Sequence, residues 1–233
     1  HHLYPRNGGG LRLIEHKGGS VMDAPSQSGT PVIHLHQGDL PDGVTFTGSV
    51  AVDSETQGLD LSRDRLCVVQ LSGGDGVCHL VQIAAGQQTA PNLKALMEDD
   101  SVIKIFHYAR FDIAALKRWL AIDCTPVYCT KIASKLVRTY TDGHGLKDVV
   151  RELVGVDLDK QQQSSDWARA TLSPAQQGYA ANDVLYLHRV KAELDTMIAR
   201  EGRQHLLQAC LDFLPTRVDL DLAGWGAVDV FHH

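Results

Sequence analysis

An α/β domain with a mixed sheet covered on both faces is what this sequence predicts, and three observations predict it. Strand-like apolar runs come first as a meander: "PVIHLHQG", "GSVAVD", "RLCVVQLS" and "GVCHLVQI". From "APNLKALMED" onward, helical and strand patterns alternate. The runs "GSVAVD" and "VIKIFH" read as strands buried on both faces, which needs helices on either side.

The elements follow in order. The opening "HHLYPRNGGGLRLIEHKGGSV" has a His pair, glycine-rich breaks and no periodicity, and reads as tag-like. Met22 is a natural start, and "DAPSQSG" after it reads as flexible. Residues 1–30 are therefore expected to be a tag or disordered extension, with His1 and His2 outside any metal argument. Residues 31–233 are expected to be a single domain with a C-terminal helix and an interface tail. "GGDG" between the third and fourth strand runs is a hairpin signal. "ARFDIAALKRWLA" has apolar positions at helical spacing. "CTPVYCT" reads as a short strand leading into "KIASKLVRTY", and "LKDVVRELVG" as an amphipathic helix ending at Gly155. "VDLDKQQQSSDWARATL" is loop-like. Ser173-Pro174 then opens one long helix through "MIAREG", with proline at its first position. A last amphipathic stretch, "RQHLLQACLDFL", is expected to stop at Pro215, leaving the apolar tail "RVDLDLAGWGAVDVF" without a partner element. Exposed apolar stretches mark interfaces, so this tail predicts homo-oligomerisation.

Composition narrows the class. Hydrophobic residues make up 43% of the 233 and charged residues 21%, which suits a globular core. No apolar run approaches the roughly 20 residues that span a bilayer, so no membrane partner is expected. The five cysteines are odd in number and lack metal-type spacing. Free thiols and a reducing cytoplasm follow, with Cys129 and Cys210 assigned to packing. The net charge of −6 argues against coating long nucleic acid by bulk electrostatics.

Acids recur where elements end. In "VAVDSETQGLD", Asp53 and Glu55 are two apart on a strand and project to one side. Two such carboxylates tolerate each other only around a cation. Asp112 opens a helix directly after "VIKIFH". Tyr179 and Asp183 in "YAAND" lie at i and i+4 on one helix face. Four carboxylates and a phenol suit two divalent ions about 3.5–4 Å apart, the spacing that clamps both oxygens of a phosphoryl transfer. Magnesium or manganese fits such hard oxygen ligands. Each piece alone has a plainer reading: a solvated strand end, a helix cap, surface decoration.

Taken in order, "VAVDSETQGLD", "KIFHYARFDIAAL" and "QGYAANDVLYL" resemble the three motifs of the DEDDy 3′–5′ exonucleases, in the ribonuclease H-like superfamily. The resemblance spans about Asp53 to Leu187 and implies a ribonuclease H-like mixed sheet flanked by helices. It places the family's metal-binding acids on Asp53, Glu55, Asp112 and Asp183 and its water-positioning tyrosine on Tyr179. "SSDWARATLSPAQQGYAANDV" further resembles the ribonuclease D branch, with Asp166 and Trp167 matching its D-W pair. The second motif departs from the family: many relatives carry Asn shortly before the Asp, where "HYARFD" has Tyr108. Without the helical domains that follow the catalytic one in ribonuclease D, the chain most resembles the nano-RNase C group. That resemblance implies a ring-shaped octamer, a dinucleotide RNA substrate, a 5′-phosphate pocket and Leu59 wedged between two bases. Nucleoside 5′-monophosphates would be the products.

Substrate contacts are expected at Leu59, Thr56, His107 and Trp167. A packed strand-end histidine remains open for His107, and a core aromatic for Trp167. His144 is either a turn residue or a substrate contact, and Arg63 and Arg65 are either surface residues or contacts to phosphate or a neighbouring subunit. Alternatives to a dinucleotide-specific enzyme are a general ribonuclease D-like exoribonuclease, a DNA exonuclease on the same scaffold, and a non-catalytic nucleic-acid-binding relative.

Overall fold

The computed structural model describes residues 30–233, so the expected extension at residues 1–30 lies almost wholly outside them. Six strands form one sheet: β1 (Val32–Gln37), β2 (Ser49–Thr56), β3 (Leu66–Ser72), β4 (Val77–Gln82), β5 (Ile103–Phe106) and β6 (Val127–Cys129), in the order β1-β4-β3-β2-β5-β6. The β2–β3 and β3–β4 pairs are antiparallel, while β1–β4, β2–β5 and β5–β6 are parallel. The sheet is therefore mixed, as the sequence predicts. Helices α1 (Pro91–Met97), α2 (Ala109–Leu120), α3 (Thr130–Val137), α4 (Leu146–Val154), α5 (Pro174–Leu185), α6 (Leu187–Glu201) and α7 (Gln204–Leu220) surround it.

The central strands are buried because their sequences hold few groups that need water. All seven residues of β3 are buried, and Val50, Ala51 and Val52 of β2 are fully so. Gly74 in the β3–β4 hairpin has φ +79, and a Cβ there would meet the His188 ring of α6 at 2.8 Å. Only glycine satisfies both demands. Ser173 and Gln176 form a reciprocal capping box at the start of α5. The Gln176 side chain also donates to Ser165 Oγ at 2.6 Å and to the Asp166 carbonyl at 3.0 Å, tying the preceding loop to the helix that carries the third acidic motif.

Two helical expectations need correction. The long helix from Pro174 is divided at Tyr186, whose φ/ψ of −109°/−3° turns α6 away from α5. No glycine or proline marks the break. The last helix does not stop at Pro215, which lies inside α7. A proline in a helix interior costs about 3 kcal/mol. Tertiary contacts oppose that cost here: Leu211, Leu214 and Val218 are buried, and Lys117–Asp219 and Arg110–Asp221 pairs, both 2.7 Å, fasten the helix end and the turn after it to α2. That wide turn, Asp221–Trp225, leads into a tail where Trp225, Val228, Val230 and Phe231 are exposed. Among the described residues, no helix is long and apolar enough to cross a membrane. All five cysteines are free; Cys210 is exposed and the other four are buried.

Tyr108 supplies a physical account of the departure in the second motif. It caps α2 in the left-handed conformation, φ 69° and ψ 55°. Asparagine visits that region far more easily than an aromatic residue, for which the cost is roughly 1–2 kcal/mol. The Tyr108 ring recovers part of this by stacking near Phe111 and lying under the Lys131 ammonium at 4.7 Å. Tyr108→Asn should therefore raise stability by about 0.5–1 kcal/mol in urea unfolding. A clear loss would mean the ring contacts outweigh the backbone strain.

Candidate active site

The end of β2 and the middle of α5 meet to form the site. Period-two alternation puts Asp53 and Glu55 on one side of β2, and the helical repeat stacks Tyr179 and Asp183 on the facing side of α5. Carboxylate oxygens of Asp53, Glu55 and Asp183 all lie within 4.8 Å of one another. They line a pocket of about 220 Å³ together with Ser54, His107, Leu146, Gln163 and Tyr179. No lysine or arginine lines it. The β2–β3 register shifts between Glu55 and Thr56, so the strand bends as it leaves the pocket.

Three carboxyls this close cannot all ionise freely. Burial pushes Asp53 up to about 6, with hydrogen bonds from its neighbours acting the other way. Burial and then the Asp53 charge push Glu55 well above the carboxylate range. Asp183 is raised by burial first, then by Asp53 and Glu55. These three residues retain some exposure through the pocket mouth, so water screens part of the effect. Tyr179 is also raised, by burial first and then by Asp183, which keeps its phenol protonated at neutral pH.

Asp112 is placed differently. It is 3% exposed, does not line the pocket, and accepts from Ser54 Oγ at 2.5 Å. Burial and the Asp53 charge raise it as well, so it stands behind Asp53 as a fourth member of the cluster. Gln70 was missed by sequence reasoning. It is the register partner of Asp53, fully buried, and its Nε2 donates to Glu55 Oε1 at 3.2 Å and lies 3.5 Å from Asp53 Oδ2. Its signal was visible: a lone amide in the otherwise apolar run "LCVVQL".

The expected substrate contacts separate into two groups. Leu59 is 86% exposed on the loop after β2, and Thr56 at the strand end donates to the Gly58 carbonyl at 2.5 Å. Trp167, by contrast, is buried at 3% exposure with its ring 5.9 Å from that of Tyr179. Its face is covered, and the core alternative left open by the sequence describes its position. His107 lines the pocket, yet both its nitrogens are engaged, Nδ1 with Thr130 Oγ1 at 2.7 Å and Nε2 with the His144 carbonyl at 2.8 Å. His144 Nδ1 meets Ser134 Oγ at 2.7 Å. The two histidines thus latch the end of β5 to the loop before α4. Arg65 is spent on the carbonyls of Leu66, Ile83 and Ala168, and Arg63 pairs with Asp64 on the surface.

A family model described as 3′-5′ exonuclease, DNA_pol_A_exo1, matches residues 41–199, which contain every acid of the cluster. The chain belongs to this 3′–5′ exonuclease family. Among solved structures, this exonuclease is similar to Brucella melitensis NrnC with bound Mg²⁺, at 53% identity, TM-score 0.83, and coverage of 87% of this chain and 99% of that one. The same protein bound to pGG gives 54% identity, TM-score 0.84 and the same coverage. Escherichia coli RNase D is more distant, at 26% identity and TM-score 0.66 over 74% of this chain and 45% of that one. Of curated relatives, Ribonuclease D of Gluconacetobacter diazotrophicus is 35% identical over 154 residues, 66% of this chain and 39% of that protein. The exonuclease thus spans about two-fifths of the length of the curated relatives it matches. The solved structures superpose over most of this chain, whose mixed sheet is flanked by helices, so the ribonuclease H-like fold and the nano-RNase C resemblance both stand.

Two measurements test the electrostatics of this site. With divalent ions chelated at pH 7.5, Asp183→Asn should increase the unfolding free energy by about 1 kcal/mol, because an amide does not repel Asp53 and Glu55. A destabilised variant would show that the acids are not in conflict. The second concerns His107, which burial lowers to about 4. Its imidazole stays neutral in the folded protein while the unfolded chain takes up a proton near pH 6.5. The stability it supports is therefore full above pH 6.5 and is lost as pH falls toward 4, by roughly 2–3 kcal/mol. His107→Gln should flatten the stability profile across that window; an unchanged slope would place the titration elsewhere.

Proposed function

We propose that this protein is a metal-dependent 3′–5′ exoribonuclease acting on short RNA, dinucleotides above all, with nucleoside 5′-monophosphates as products. The observation that carries the reading is the convergence of Asp53, Glu55 and Asp183 within 4.8 Å beside the Tyr179 phenol. NrnC bound to pGG, over half identical to this chain, supports the short substrate. The hard oxygen donors fit Mg²⁺ or Mn²⁺, as does the depressed acidity of carboxyls crowded without a counter-charge. Asp53, Glu55 and Asp183 would hold the ions from the pocket wall and Asp112 from behind Asp53. A pair of such ions supplies Lewis-acid charge to the phosphodiester and acidifies the attacking water.

The chain's own residues do the rest. Tyr179 stays protonated, so it orients the water by a hydrogen bond and does not remove its proton. Trp167 packs against the phenol ring and restricts where it can point. Gln70 donates to one oxygen of the Glu55 carboxylate, which lines the pocket. Leu59, exposed at the end of the β2 loop, is the apolar wedge between two bases. The exposed apolar tail supports a homo-oligomer, an octamer by likeness to nano-RNase C, and free thiols support a cytoplasmic setting.

Initial rates on 5′-phosphorylated RNAs of two to about ten nucleotides, with Mg²⁺ or Mn²⁺, test this reading. The dinucleotide should be cleaved fastest, and Asp53→Asn should abolish cleavage of every length. Equal rates at all lengths would make it a general ribonuclease D-like enzyme. Preference for matched DNA, or no turnover, would overturn the RNA assignment.

A further inference from the structure

A second cluster of ligating side chains lies away from the acids. His34 and His36 are two residues apart on β1 and project to the same face of the sheet. β4 runs parallel beside β1, and His79 is the register partner of His34. The three rings gather, with centroids 5.3 Å apart for His34–His79, 5.2 Å for His36–His79 and 6.4 Å for His34–His36. His36 Nε2 and His79 Nδ1 are 2.9 Å apart.

This cluster is on the opposite face from the carboxylates. Asp53 pairs with Gln70 and Gln70 with Leu80, so those three share the face on which α5 lies. His79 is the neighbour of Leu80 along β4 and points the other way. None of the three histidines falls within the acidic motifs.

The spacing has a chemical meaning. A tetrahedral ion bound to imidazole nitrogens at about 2.0–2.1 Å holds ring centres about 5 Å apart. Two of the three separations already have that value, and the third is about 1 Å longer. In this structure the rings are stacked, so their nitrogens meet at one point only after rotation about the side-chain torsions. Backbone register does not need to change. His34 is exposed and the other two are half-buried, so an ion can reach them. Next to His79, a polar cavity of about 240 Å³, lined by Thr45, Thr47, Ser49 and Asp75 among others, leaves room for a water as the remaining ligand.

We propose that His34, His36 and His79 form a second metal site, for a nitrogen-preferring divalent ion of the zinc class, which clips edge strand β1 to β4. All-imidazole donors favour zinc-class ions over magnesium, so the two sites differ in the metal they take. A clip of this kind acts on stability, because β1 has a partner on one side only and the ion binds both strands of the folded sheet.

Zinc titration by calorimetry at pH 7.5 tests the proposal on the full chain, with Asp53→Asn used to weaken binding at the carboxylate pocket. Histidines at the chain termini are common to all variants and give a constant background. In Asp53→Asn, zinc should bind with one tight equivalent and raise the thermal midpoint. Adding His36→Gln or His79→Gln should weaken that binding at least about tenfold and remove the thermal shift. His34→Gln, at an exposed position, should do the same without disturbing the fold. The single histidine variants, with Asp53 intact, should keep magnesium-dependent nuclease activity. Cobalt should give the intense visible bands of a tetrahedral nitrogen site, lost in His34→Gln. Equal zinc affinity with and without the three imidazoles, or no tight equivalent in Asp53→Asn, would overturn it.

Discussion

Repulsion among buried carboxyls is the constraint on which the site depends. Asp53 is crowded by Glu55, Asp183 and Asp112, and each is pushed toward its protonated form. A raised carboxyl pKa stabilises the fold below the ordinary carboxylate range and gives that stability up as pH rises through the folded value, about 6 for Asp53. At neutral pH the metal-free site is therefore a load on the fold. The scaffold bears it because the acids hang from its stiffest parts. β2 has hydrogen-bonded partners on both sides, and α5 begins at a full capping box. A cation changes the sign of the interaction, turning mutual repulsion into shared attraction.

How legible this was depends on the distance over which each signal acts. Asp53 with Glu55, and Tyr179 with Asp183, are short-range patterns set by the periods of strand and helix, so their facing was readable directly. The expected meander holds for β2, β3 and β4, but β1, read as its first strand, crosses to lie parallel to β4 at the sheet edge, a long-range pairing that no local pattern marks. Asp112 was readable as a member of the set but not as the one behind the wall, since depth depends on how α2 meets β2. Trp167 could not be assigned, because a tryptophan that stacks on a base and one that packs on Tyr179 have the same sequence context. The division at Tyr186 carries no breaker residue, and Pro215 is a breaker overruled by ion pairs from α2 that are over 100 residues away in the chain. In both cases tertiary contacts outweigh local preference.

The pocket also sets an electrostatic condition on whatever enters. Its lining offers carboxylates, a phenol and an imidazole whose nitrogens are already occupied, and no basic side chain. Arg65 is tied to backbone carbonyls, Arg63 to Asp64, and Arg138, behind His107, to Glu152. A phosphodiester brought here without added positive charge would meet only like charge in the pocket lining. Positive charge must therefore arrive with bound ions or from outside this chain. A chain of net charge −6 is poorly suited to attract long nucleic acid by itself.

His107 shows how the site is kept in register with the rest of the sheet. Its Nε2 faces a carbonyl, which can only accept, so that nitrogen carries the proton. Neutral imidazole then leaves Nδ1 as an acceptor, and the Thr130 hydroxyl must donate to it. The same hydroxyl lies 3.1 Å from the Phe106 carbonyl, but it has one proton and cannot serve both. Burial settles the choice in favour of the neutral ring. The end of β5, the start of α3 and the loop before α4 are thereby joined through a single hydrogen-bond chain with one consistent set of protons. Because α2 begins two residues after His107, at Ala109, and carries Asp112, the latch also fixes the direction from which the fourth acid approaches Asp53.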